Sequence, residues 1–264
     1  MNANFICSLI QNAGQLTLSF FQKNFEITEK SDNQGIVTSA DFASEELIKT
    51  KIHESFPDHD ILAEESGMER FSSSDSKYLW LIDPLDGTTN FSKGNPYYCI
   101  SIAFGEVKDK RFFPKLAAVY QPTTNSLFFA EKNKGAFLNN SRIQTSPLNQ
   151  FKLASFATGF SSNRGKSLTP LVQIIESIQN KCLGIRINGA AALDLANSAR
   201  GTIQGFYETP LAPWDTAAGA LLMTEAGGKV TNFFGEEFCP LNDRGIIATN
   251  KFLYDELFTI IKNG

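Results

Sequence analysis

Histidine is nearly absent: the 264 residues include only His53 and His59. A metal centre built on imidazoles therefore has too few donors. Any metal site must use mostly oxygen, which favours a hard cation such as Mg2+ over zinc or copper. Cysteine is scarce as well. Cys7, Cys99, Cys182 and Cys239 are scattered, so no CxxC zinc or redox pair exists, and dispersed thiols in a chain this long fit a reducing compartment, the cytoplasm. There is no basic excess: 24 Lys and Arg against 28 Asp and Glu give a net charge of −4, which argues against a general nucleic-acid binder. A local basic patch stays open, with Arg142, Lys152, Lys166, Lys181 and Arg186 as candidates, although ordinary solvated charges explain them equally well. No apolar run approaches the ~18 residues that span a membrane. The first 22 residues carry no Lys or Arg, and Gln11, Asn12 and Gln15 interrupt the apolar positions, so a secretory signal is not expected. Tandem repeats, low-complexity tracts and Pro/Gly-rich linkers are also missing.

What is present is apolar mass. Hydrophobic residues make up 42% of the chain and Phe occurs 23 times, enough for a substantial core. Phe5, Leu9, Ala13, Leu16 and Phe20 recur at helical spacing, which predicts an amphipathic first helix from about Asn4 to Asn24. A second helix is expected from about Asp41 to Phe56, broken by Pro57-Asp58. Ile61 to Ala63 reads as a short strand ending at Glu64-Glu65, and Tyr78 to Ile82 as a buried strand ending at Asp83-Pro84. Cys99 to Phe104, Lys115 to Tyr120 and Ser126 to Ala130 read as further strands, with a turn at Lys132 to Gly135. The second half, from about residue 146, is expected to hold strands at Leu153 to Ala157, Gly184 to Ile187, Thr202 to Tyr207 and Ile246 to Ala248. Its helices are expected at Leu168 to Gln179, Ala190 to Ala199, Trp214 to Ala226 (closed by Gly227-Gly228) and Lys251 to Ile261. Such blocks imply layered α/β architecture in one domain with two packed halves, about 1–145 and 146–264.

The most informative segment is Asp83-Pro84-Leu85-Asp86-Gly87-Thr88-Thr89-Asn90-Phe91. Two carboxylates three residues apart follow a buried strand. Pro84 stiffens the backbone between them, and a rigid bend there can aim both carboxylates and the Leu85 carbonyl at one point. Gly87 permits close backbone approach, and the amides of Gly87 and Thr88 could receive a phosphate if a helix starts there. Taken alone, the segment could equally be an ordinary turn. Ala63-Glu64-Glu65-Ser66 is a second cluster, which in isolation reads as a solvated acidic loop. Trp214-Asp215-Thr216-Ala217-Ala218-Gly219 is a third, where Asp215 could be only a helix cap and the small residues only a packing face.

Together these segments resemble the inositol monophosphatase family over nearly the whole chain. The matching residues are Val37-Thr38 with Asp41, Glu64 to Ser66, Asp83 to Phe91, Glu208, Trp214-Asp215 and Glu225 to Gly228; Ala63 departs from the family's usual glycine. The resemblance implies an α/β/α/β/α sandwich and a Mg2+-dependent phosphomonoesterase, typically lithium-sensitive and homodimeric. It implies a first ion on Glu64, Asp83 and the Leu85 carbonyl, a second on Asp83, Asp86 and Asp215, and a weaker third on Glu64 and waters. Asp41 and Thr88 would orient the attacking water, with no phosphoenzyme. Glu208, Gly189, Ala190, Ala191, Asp86 and Asp215 would meet the substrate. The Thr-Thr-Asn-Phe ending of the motif looks like the inositol-phosphate branch, while fructose-1,6-bisphosphate, histidinol phosphate and adenosine 3',5'-bisphosphate stay open. Some bacterial relatives assist transcription complexes, so a regulatory binding role is the reading from a different class.

The electrostatics of the residues point the same way. Two carboxylates ~4 Å apart repel by about 4 kcal/mol at an effective dielectric near 20. Asp41, Glu64, Asp83, Asp86 and Asp215 in one cleft would need cations or raised pKa values.

Overall fold

The computed structural model describes residues 3–23, 25–30, 35–70, 77–160 and 168–263. In chain order the helices and strands are α1 (Ala3–Phe20), β1 (Ile27–Glu29), β2 (Ile36–Thr38), α2 (Ser39–Ser55), β3 (Asp60–Ala63), β4 (Gly67–Glu69), β5 (Tyr78–Asp86), α3 (Thr88–Ser92), β6 (Cys99–Lys108), β7 (Arg111–Gln121), β8 (Ser126–Glu131), β9 (Gly135–Leu138) and β10 (Ser141–Ile143). The rest are β11 (Ser155–Ala157), α4 (Thr169–Gln179), β12 (Gly184–Arg186), α5 (Ala191–Ala199), β13 (Gly205–Glu208), α6 (Pro213–Glu225), β14 (Gly228–Thr231), β15 (Ile246–Asn250) and α7 (Tyr254–Asn263).

Two main sheets organise the chain. One has eight strands in the order β10-β9-β8-β7-β6-β5-β3-β4, and the other has five in the order β12-β11-β13-β15-β14. Strand parity sorts their side chains. In β5, Trp80 and Ile82 join Ile6, Ile10, Ile48 and Ile52 of α1 and α2 in one core. Leu79 and Leu81 point the other way, to Leu193 and Leu195 of α5 and Leu221 and Leu222 of α6. The same helices cover one face of the five-stranded sheet through Phe206, Ile246 and Ala248. Tyr207 and Ile247 face the opposite side, against Ile174 and Ile178 of α4 and Leu257, Ile260 and Ile261 of α7. The result is the layered α/β/α/β/α sandwich. Close packing in the middle layer depends on Gly219, where a Cβ would lie 2.4 Å from Leu195 Cβ.

Some boundaries differ from the sequence reading. α1 ends at Phe20, and Gln22 takes a left-handed φ of 59°; the chain then turns so that Phe21 and Phe25 reach the ring of Phe91. Asn24 lies outside the described residues. The strand expected from Leu153 begins at Ser155, because Phe151–Leu153 forms a 3-10 turn. The strand expected from Thr202 is β13, Gly205–Glu208. The last helix starts at Tyr254, since Asn250 Oδ1 accepts the amides of Phe252 and Leu253 and holds the preceding residues in a turn. Gly227 closes α6 with φ +87°, while Gly228 already opens β14.

Candidate active site

β5 contains the decisive local feature. Asp83 pairs with Ser101 of β6, but Asp86 pairs with Cys99, so three steps on one strand face two on the other. In a regular strand, residues three apart point to opposite faces. The extra residue forms a β-bulge that turns Asp86 back to the side of Asp83. Pro84 and Leu85 occupy the bulge, and their backbone is tied down locally. Leu85 N donates to Asp83 Oδ1 at 3.0 Å, and the Pro84 carbonyl accepts Ser44 Oγ at 2.8 Å. Leu85 itself is buried with Ala40, Phe91 and Tyr98.

α3 follows at once. Gly87 is its N-cap with φ 91° and ψ 35°. A side chain there would be strained by the left-handed φ and crowded by the Tyr97 carbonyl at 3.1 Å. Thr88, the first residue of α3, directs its hydroxyl at Asp41 Oδ1 (2.9 Å) and the Leu85 carbonyl (3.0 Å). Asp41 is itself a helix cap. As the third residue of α2 it turns back so that Oδ2 accepts both the amide of Thr38 (2.9 Å) and its hydroxyl (2.5 Å). Its other oxygen is free to face Thr88. Asp215 repeats the device in α6: Oδ2 accepts Ala212 N at 2.7 Å. The cap reading of Asp215 therefore holds, and Asp41 caps its own helix in the same way.

The remaining parts come from neighbouring elements. Glu64 follows β3, and Glu65 and Ser66 donate their amides to Glu45 at 2.9 and 3.0 Å. The first turn of α5 supplies Ala192 N to Asp86 Oδ2 at 2.8 Å. Asn90 ties the motif to the second half of the chain, donating to the carbonyls of Tyr97 (2.8 Å) and Asn188 (2.7 Å) beside Gly189. Glu208 ends β13 and is buried.

These groups share one pocket of about 320 Å3, lined among others by Glu64, Asp86, Gly87, Thr88, Gly189, Ala190, Ala191, Glu208 and Asp215. Asp41, Asp83 and Leu85 are buried behind its wall. Glu225 is not part of it. Its carboxylate accepts the amides of Asn133 and Gly135 at 2.8 Å each, so it braces the turn before β9.

Burial first, and then the crowding of acids, raises the carboxyl pKa values around the pocket. Burial pushes Asp41 up to about 6, against the hydrogen bonds from Thr38 and Thr88. Burial also pushes Asp86 up to about 7, partly opposed by the Ala192 amide. Asp83 is driven well above the carboxylate range by burial and then by the charges of Glu64, Asp86 and Asp215. Asp215 and Glu208 are raised by burial first and then by neighbouring carboxylates.

As the side chains stand, no three His, Cys, Asp or Glu among the described residues are gathered closely enough to hold a metal ion. Each carboxylate instead has a partner of its own. Backbone amides hold one oxygen each of Asp83, Asp86 and Asp215, and Lys30 Nζ holds Glu64 Oε1 at 2.7 Å and Glu65 Oε1 at 2.6 Å. The ammonium occupies one edge of the cluster as a cation would. Oxygen-only donors with mutually raised pKa values, already drawing one positive charge, fit hard divalent cations.

Sequence reasoning missed Lys30, Asp194 and Gly159. Gly159 lines the pocket, and a Cβ there would lie 2.4 Å from Glu208 Oε2; a glycine after β11 was its only signal. Of the basic candidates, Arg142 stands on β10 of one sheet and Arg186 on β12 of the other, both exposed. Lys152 and Lys181 are exposed too, and Lys166 lies outside the described residues. Among the described residues no helix is long and apolar enough to cross a membrane.

Comparison with known proteins gives the same picture. The model of the inositol monophosphatase family matches residues 2–263. A Vibrio cholerae protein named Nus factor SuhB is 38% identical over 234 residues, 88% of this chain and 81% of that protein. The crystal structure of the extragenic suppressor protein suhB from Bartonella henselae superposes with a TM-score of 0.90 at 32% identity, covering 99% of this chain and 98% of that one. A Thermotoga maritima IMPase gives a TM-score of 0.86 at 32% identity, over 98% and 96% of the two chains. With the bulged acidic motif, the sandwich and a match along almost its full length, this chain belongs to the inositol monophosphatase family.

Proposed function

We propose that the chain hydrolyses the phosphate monoester of a small polyol, inositol monophosphate first, with Mg2+ as its cofactor. The observation that carries this reading is the convergence of Glu64, Asp86 and Asp215 on one pocket with Asp83 buried behind them, from the turn after β3, from β5 and from the first turn of α6. Glu64, Asp83 and the Leu85 carbonyl would hold one ion, and Asp83, Asp86 and Asp215 a second. A third would lean on Glu64 in competition with Lys30. When bound, the ions would neutralise the acid cluster, draw in the phosphate and make a bound water more acidic.

The protein's own groups supply the orientation. Thr88 gives its single proton to Asp41 or to the Leu85 carbonyl, so its lone pairs are left to accept from the attacking water. Asp41 as a carboxylate fixes that polarity. Thr88 has no histidine or lysine beside it in the sequence, and Lys30 of the same pocket is engaged by Glu64 and Glu65, so Thr88 orients water and carries no phosphate. The amides of Gly87 and Thr88 would meet the phosphate. Gly189, Ala190, Ala191 and Glu208 would meet the polyol, whose departing oxygen takes its proton from water. Lys30 is the only cation in the described lining, and it is already paired with two glutamates, which favours a monophosphate over fructose-1,6-bisphosphate or adenosine 3',5'-bisphosphate. Histidinol phosphate stays an alternative, since the Glu208 carboxylate can accept from an ammonium as well as from a hydroxyl.

The deciding experiment is phosphate release from a panel of inositol, fructose, histidinol and nucleotide phosphates, with Mg2+ and with chelator. Mg2+-dependent release from inositol monophosphate is expected. No release from any member at any Mg2+ concentration overturns the reading.

The relative named Nus factor SuhB favours a second reading, a cytoplasmic partner of transcription complexes. Capture of such a complex by an Asp215→Asn variant that has lost turnover would support it. Leu168, Val172, Leu183 and Ile187 stand about half exposed or more around α4 and the edge strand β12, which supports a homodimer; sedimentation should give twice the chain mass of 29.1 kDa.

A further inference from the structure

Asp194 lies in the first turn of α5, is 1% exposed and still lines the pocket. Its surroundings are asymmetric. Tyr97 Oη donates to Oδ1 at 2.5 Å, and Asn188 Nδ2 donates to the same Oδ1 at 2.6 Å. Tyr97 is held in turn by Asn197 Nδ2 at 3.0 Å, and the Asn188 carbonyl is held by Asn90. Two donors on one oxygen lock the carboxylate's orientation, while Oδ2 receives no hydrogen bond from the described residues. Oδ2 is instead open to the pocket that Asp194 lines.

We propose that Asp194 is a further specificity residue of this pocket, with Oδ2 accepting a hydrogen bond from a substrate hydroxyl next to the one read by Glu208. This rests on the phosphatase reading above. A simple brace for Tyr97 and Asn188 would need only one acceptor oxygen, which an asparagine supplies. A carboxylate instead keeps a second acceptor oxygen, in the pocket that Glu208 also lines. Two fixed carboxylate acceptors at the polyol end would select a substrate with adjacent hydroxyls and disfavour an aryl or simple alkyl phosphate. Neither Gly189 nor Ala190 can do this, since each offers only backbone.

Asp194→Asn is the discriminating substitution. Its carbonyl oxygen can keep both bonds from Tyr97 and Asn188, while the position of Oδ2 becomes an N–H donor. The wild type and the variant are compared on inositol monophosphate, on its monodeoxy analogues and on an aryl phosphate, with melting temperature recorded. A hydrogen bond to a charged group corresponds to a factor of about ten or more. The kcat/KM for inositol monophosphate is expected to fall at least tenfold further than that for the aryl phosphate. One deoxy position should cost the wild type about tenfold and cost the variant nothing more. Equal losses on the polyol and aryl substrates, or the same deoxy penalty in both proteins, overturn the assignment. If the variant does not fold, the wild-type deoxy series still decides: no penalty at any hydroxyl beyond the one lost in Glu208→Ala refutes it. Wild-type protein that hydrolyses none of these esters refutes the phosphatase reading instead.

Discussion

Removing divalent cations should make this protein lose stability as the pH rises. Asp41 is fully buried, and its pKa is raised from 3.8 to about 6. Between those values the folded chain binds a proton that the unfolded chain has released, so stability falls with increasing pH across the window and the full cost is present above about 6. A shift of about 2 units corresponds to about 3 kcal/mol. Asp83, Asp86 and Asp215 are raised in the same direction and deepen the loss. For a domain of this size 1 kcal/mol moves the melting temperature by about 2–4 °C, so the whole Asp41 shift is worth about 6 °C or more, of which a little under half falls above pH 5. The assay is thermal unfolding from pH 5 to 8 in chelator and in excess Mg2+. In chelator the midpoint should drop steadily across that range. Mg2+ should raise it, and by more at pH 8 than at pH 5, because protons and cations compete for the same oxygens. A chelated midpoint that is flat or climbs, together with an equal Mg2+ effect at both ends, would refute the idea that this cluster is held together by positive charge.

Other substitutions separate the parts of the site. Asp215→Asn should cost most of the turnover and shift Mg2+ activation to higher concentration; an unchanged rate at limiting Mg2+ would remove Asp215 from the cation site. Lys30→Met should free Glu64 and lower the Mg2+ concentration needed for half activity, and a rise instead would make Lys30 a substrate contact. Glu208→Ala should impair a polyol phosphate more than an aryl phosphate. Gly159→Ala should do the same in milder form, since its Cβ would meet Glu208 Oε2; matching losses on both substrates would take this carboxylate out of the polyol pocket.

Which features could be read in advance follows from how local their cause is. The Asp83 to Phe91 motif was legible because its bend is written into consecutive residues, Pro84 between the carboxylates and Gly87 at the start of α3. The buried strand of β5 and the helical spacing of α1 were legible for the same reason. Lys30 was not, because it stands beyond the end of β1, an exposed three-residue strand, and meets Glu64 only after folding. Asp194 read as an ordinary helical residue, since its meaning lies in Tyr97, 97 positions away. The hairpin of β9 and β10 was overlooked although it had a signal: Asn139 and Asn140 both take positive φ, 46° and 68°, between Leu138 and Ser141, the turn that asparagine pairs favour. Ends such as Asn250, where a side chain rather than proline or glycine stops the helix, leave a weaker trace.

The mismatch between β5 and β6 has a consequence for how the site can be broken. Cys99, Ile100 and Ser101 contribute no carboxylate to the cluster, yet the spacing from Cys99 to Ser101 is what forces the slack into β5. Adding a single residue there would let the two strands align step for step. Asp86 would then swing toward α2, into the layer that now holds Leu85 and Phe91, and the acid pair would be split across the sheet with every one of its own atoms intact.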